Sequence, residues 1–131
     1  MTDEGRREAA ATELAAANEE LRAADALLKV GLARIALTRA YFAAFHALRA
    51  LLYAEDLAPR SHEGVQHLFN LHFVKSGRFE PAVSRLVARL QKFREEADYA
   101  QAFVVDEAGA TEEITAAREL VGRVAKLVEH Q

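Results

Sequence analysis

The sequence predicts an all-α fold, an antiparallel up-and-down bundle of four long helices plus one shorter helix, from three observations. Alanine occurs 28 times in 131 residues, mostly beside Leu, Arg and Glu, the strongest helix formers. Few stretches alternate with period two, so no strand is expected. Gly31, Pro59, Gly77 and Pro81 fall at intervals that cut the chain into helix-length segments. The length fits one domain spanning residues 1–131, large enough to fold around its own core.

The first helix is expected from Thr2 or Arg6 to Lys29, with Leu14, Leu21 and Leu28 spaced by sevens and Gly31 as its stop. Those leucines could face the core or a second protomer. The second helix should run from Leu32 to Ala54. Pro59 marks a loop, and Ser61 is a suitable N-cap for a third helix over His62 to Lys75. Val65, Leu68, Phe69, His72 and Phe73 would form its single apolar stripe. Pro81 suits the first turn of a fourth helix reaching about Ala102. Residues 103–110 read as a loop, Thr111 as a cap, and Glu112 to Glu129 as the last helix. Helices of about 20 residues reach about 30 Å, and short connections make neighbours antiparallel.

Composition excludes several functions. With no cysteine the chain has no disulfide framework, thiolate zinc site or cysteine nucleophile. Apolar runs look too short for the roughly 20 residues that span a bilayer. The N-terminal MTDEGRREAAATE lacks the basic-then-apolar order of a signal peptide, so a cytoplasmic location with no membrane partner is expected. A glycine-rich phosphate loop and a G-x-S-x-G elbow are both missing. His62, His67 and His72 are spaced by five, which points three rings in three directions on a helix; no metal site, and no cofactor, is expected.

Net charge is -3, unevenly distributed. Residues 32–94 carry ten basic against four acidic side chains, whereas residues 95–131 carry three against nine. A basic centre between acidic ends could offer a positive surface to a phosphate-bearing partner, or simply solvate a bundle.

The second helix holds the main candidates. Arg39 and His46 are seven apart and so lie about 20° apart around the helix, with Phe42, Arg49 and Tyr53 on or near the same stripe. Tyr41, Phe45, Leu48 and Leu52 form another face, read as the core seam. In one reading Arg39 clamps phosphate and His46 is a general acid or base, since guanidinium presents donors in a fixed fork. In the other, His46 is a satisfied half-buried residue and Arg39 pairs with a carboxylate on another helix. The fourth helix ends KFREEADYAQ, where Asp98 could bridge to Arg39 with Tyr99 as a buried ring. Alternatively Arg94, Asp98 and Tyr99 line a cleft with His46.

Three blocks, TRAYFAAFHALRALL at 38–52, SHEGVQHLFNLHFVKSGRF at 61–79 and FREEADYA at 93–100, resemble the HEPN-domain family in its small free-standing prokaryotic branch. The resemblance implies a homodimeric helical bundle with a shared cleft, paired with a minimal nucleotidyltransferase, often as toxin and antitoxin. Many members are metal-independent ribonucleases using an arginine, four to six residues and a histidine; others bind nucleotides or partners without cleaving RNA. Arg94 is followed by no such histidine, while Arg39 and His46 supply that spacing on the second helix. The resemblance therefore implies a dimeric nucleotide-, RNA- or partner-binding module with Arg49, Arg94, Asp98 and Tyr99 as binding residues. Its alternative is an endoribonuclease with His46 and Arg39 as catalytic residues. The resemblance also implies Tyr99 as the candidate for modification by a partner nucleotidyltransferase.

Overall fold

The computed structural model describes residues 1–97 and 105–130. Among them are five α-helices: α1 (Asp3–Lys29), α2 (Ala33–Ala54), α3 (His62–Phe69), α4 (Pro81–Glu96) and α5 (Glu107–Glu129). The bundle is all-α, with no strand among the described residues.

Helix α1 starts at Thr2, whose hydroxyl accepts from the Gly5 N–H at 2.9 Å. It ends where Gly31 takes φ 82°, so that the Gly31 and Leu32 N–H groups close back on the Leu28 and Leu27 carbonyls. Helix α2 ends the same way, with Asp56 at φ 62° in the position glycine usually holds.

Helix α2 is the axis of the bundle. Ala36, Ala40, Ala43, Ala44, Ala47 and Ala50 are fully buried, and their small side chains let α1, α4 and α5 approach closely. Leu37, Tyr41, Phe45, Leu48, Leu51 and Leu52 fill the space between, so the expected core seam through Tyr41, Phe45, Leu48 and Leu52 is present. The reading that apolar runs are too short to span a bilayer needs correction, because α2 is long and apolar enough by length and composition. Its physical explanation is burial: 67% of its most apolar stretch lies inside the bundle, as in a core helix of an ordinary protein.

On α1, Leu21 is buried and Leu14 and Leu28 pack on the core, so the leucines spaced by sevens face inward. Ala10, Ala17 and Ala24 sit beside them at the α2 contact. Ile114, Ala117, Val121 and Val124 of α5, with Leu86, Val87 and Leu90 of α4, complete the core.

The third helix departs from expectation. Regular α-helix stops at Phe69 and a π-helical turn, Asn70–Val74, follows. The wider turn advances less per residue, so Val65, Phe69 and Phe73, spaced by fours, stay buried. His72 turns outward and is exposed, correcting its assignment to the buried stripe. Phe69, Phe73 and Phe79 pack as an aromatic wedge, with Phe79 edge-on to both others.

Pro81 opens α4 as expected. Helix α5 begins five residues before the expected Glu112, because the Asp106 carboxylate accepts from the Gly109 N–H at 2.7 Å and caps it there. The Thr111 hydroxyl, read as the cap, instead donates to the Glu107 carbonyl at 2.8 Å within the helix.

Candidate functional site

Two seven-residue spacings meet where α1 and α2 run antiparallel. Descending α1 from Glu20 to Glu13 matches ascending α2 from Arg39 to His46. Arg39 donates to Glu20 at 3.1 Å, and His46 Nδ1 lies 2.6 Å from Glu13 Oε2. Arg49, one turn further along α2, forms an ion pair with the other Glu13 oxygen at 3.4 Å and donates to the Tyr53 hydroxyl. Its guanidinium lies over the Phe45 and Tyr53 rings, and Arg49 Nε is buried without a hydrogen bond. Glu13 is the buried charged residue among the described residues, 9% exposed.

The chemistry follows from the donors. A carboxylate accepts only, so the 2.6 Å bond places a proton on His46 Nδ1. A base held by a carboxylate, beside a guanidinium, is an arrangement able to move a proton next to a phosphate.

A second cluster adjoins the first. Ser61 caps α3 by accepting from the Gly64 N–H at 2.9 Å, which sets His62 at the start of the helix. His62 stacks on Phe45 with ring centroids 4.2 Å apart, and its Nδ1 is 2.6 Å from the Tyr41 hydroxyl. Burial raises the Tyr41 phenol above its ordinary pKa, partly offset by Arg94, so at neutral pH the hydroxyl keeps its proton. Burial, then Arg94, Arg49 and His46, push the His62 imidazole below its ordinary pKa, so it is neutral there. Arg94 lies over Tyr41 at 5.6 Å and Phe42 at 5.3 Å, while Arg39 lies over Phe42 at 4.9 Å.

These rings form a ridge between two open clefts. One, of about 460 Å³, is bordered by Phe45, Arg49, Tyr53, Arg60, Ser61 and His62. The other, of about 540 Å³, is bordered by Arg34, Ile35, Thr38, Phe42, Arg94 and Glu95. Thr38 Oγ1, buried at the second cleft, has no hydrogen-bond partner.

The structure thus brings Arg39, His46, Arg49 and Arg94 to one region of α2 and α4. Asp98 and Tyr99 lie outside the described residues, and with them the suggested Arg39–Asp98 bridge; the carboxylate described beside Arg39 is Glu20. Sequence reasoning missed Glu13 and the ring contacts of His62. Glu13 was detectable, since Glu13 and Glu20 repeat the spacing of Arg39 and His46. His62 carried no such signal, because its hydrogen-bond partner Tyr41 is 21 residues away on another helix. No group of three His, Asp or Glu side chains able to hold a metal occurs among the described residues.

A family model for the HEPN domain matches residues 12–130. A Methanocaldococcus jannaschii protein named as a candidate toxin is 41% identical over 83 residues, 63% of this chain and 62% of its own. A Pyrococcus horikoshii protein named UPF0332 is 48% identical over 62 residues, 47% of this chain and 44% of its own. The chain therefore matches less than two thirds of the length of either relative. A Thermotoga maritima UPF0332 protein is 32% identical over 113 residues, 86% of each chain. With the model match running through α1 to α5, the chain belongs to the HEPN domain family.

Proposed function

We propose that the protein is a dimeric nucleotide- or RNA-binding module of the cytoplasm, paired with a minimal nucleotidyltransferase as toxin and antitoxin. The observation that carries this reading is the pair of half-buried rings Phe42 and His62, packed on the buried Tyr41 and Phe45 and flanked by Arg39, Arg49 and Arg94. Guanidinium groups suit phosphates, and aromatic faces accept bases of any identity. The similarity to a protein named as a candidate toxin supports the toxin side of the pairing. Exposed Leu32 and Ile35 continue the second cleft and are where a second copy would close over it. Fluorescence anisotropy with a labelled ten-nucleotide oligouridylate tests the reading. Wild type should bind, and Arg94→Ala and Arg49→Ala should each weaken binding about tenfold. Absence of binding by wild type would overturn it.

The Glu13–His46 bond favours a second reading, a metal-independent endoribonuclease. His46 Nε2 would take the proton of a ribose 2′-hydroxyl as that oxygen attacks the adjacent phosphorus. The 5′-oxygen would leave and take the proton back, giving a 2′,3′-cyclic phosphate and a 5′-hydroxyl. Arg39 and Arg49 would stabilise charge on the phosphorane. Incubation with total RNA in EDTA decides: cleavage by wild type, lost in His46→Ala, supports this reading. Intact RNA with both proteins would leave the binding module.

A further inference from the structure

We infer that His62 supplies a hydrogen-bond donor to the 460 Å³ cleft, donating its Nε2–H to a phosphate oxygen of the bound nucleotide. This rests on the phosphate-binding reading above.

Two histidines contact the Phe45 ring, His46 edge-on and His62 stacked, and their Nδ1 atoms face a carboxylate and a phenol. Glu13 accepts, which puts a proton on His46 Nδ1. Tyr41 is a buried phenol that retains its hydrogen, and its oxygen lies 2.6 Å from His62 Nδ1, within reach to donate that hydrogen. With the phenol as donor, the neutral His62 ring carries its own proton on Nε2. Nε2 has no hydrogen bond within the described residues and is not a buried orphan, and His62 borders the 460 Å³ cleft with Arg49 and Arg60. The free edge of His62 is thus a fixed N–H donor beside two guanidinium-bearing side chains, which matches an anionic oxygen. The Phe45 stack, the Tyr41 bond and the Ser61 cap fix the ring before any ligand arrives, so little ordering is left for binding to supply.

The test is anisotropy at pH 7.5 and fixed salt with labelled oligouridylate, comparing wild type, His62→Gln, Arg49→Ala and the double variant Tyr41→Phe with His62→Phe. The double variant keeps two stacked rings and leaves no orphan hydroxyl, so it should fold; circular dichroism checks that. It should bind about tenfold more weakly than wild type, while His62→Gln, which retains an N–H donor, should stay within about threefold. Competition by uridine 5′-monophosphate would identify a mononucleotide site, and its failure beside retained strand binding would identify an RNA strand; either agrees with the donor role. Should Arg49→Ala weaken binding while the folded double variant matches wild type, the inference for His62 fails alone. Should wild type bind neither probe, the phosphate-binding reading fails and takes the inference with it.

Discussion

His46 Nδ1 sits 2.6 Å from Glu13 Oε2, and the same carboxylate holds Arg49 through its other oxygen at 3.4 Å. One α1 acid therefore orients both a base and a guanidinium on α2. Glu13 is 9% exposed, so its two partners satisfy a charge that water hardly reaches.

Removing that acid should be felt in stability. Glu13→Ala leaves His46 and Arg49 without their shared acceptor and should cost about 2 kcal/mol. Glu20→Ala, which breaks one part-buried ion pair with Arg39, should cost less than about 1 kcal/mol. Urea titrations of both variants check the difference. Equal losses would mean that Glu13 has no special place in the bundle.

Acid should weaken the fold through His62. Its folded pKa lies below its unfolded value, so the unfolded chain binds the proton more readily. The stabilising contribution is complete above the ordinary histidine range and is lost as pH falls below it. Unfolding free energy should decline from pH 7 to pH 5, and His62→Gln should flatten that slope. An unchanged slope in the variant would assign the decline to other groups.

Crowding the axis should also destabilise. Ala44→Leu places three extra carbons where α2 is fully buried and should cost about 1–3 kcal/mol. Ala88→Leu, on the exposed face of α4, should be close to neutral. Thermal melts of the two variants check this directly.

A second copy closing over Leu32 and Ile35 predicts a dimer on size-exclusion chromatography with light scattering. Ile35→Asp should shift it to monomer without lowering helical content, because Ile35 is already 43% exposed in one chain. A dimer that survives Ile35→Asp would put the interface elsewhere.

Much of this fold was legible because helical periodicity, glycine stops and proline starts act over a few residues. Gly31, Ser61 and Pro81 stand where those rules put them. The failures have local causes too. Thr111 looked like a cap, but Asp106 captured the Gly109 N–H first. His72 looked buried because an α-helical step of about 100° was assumed across a π-helical turn. The site was half legible. Arg39 and His46 share a stripe by spacing alone, whereas the Tyr41–His62 bond depends on how the loop carrying Pro59 returns α3 to α2. Asp98 and Tyr99 lie outside the described residues.

The most direct test is where RNA touches the protein. Titrating unlabelled oligouridylate into ¹⁵N-labelled protein and following amide resonances maps that surface. Shifts should concentrate at Phe42, Phe45, Arg49, His62 and Arg94, along the rings and the two clefts. Shifts confined to the α4–α5 face around Arg89 and Arg123, or none at all, would contradict it.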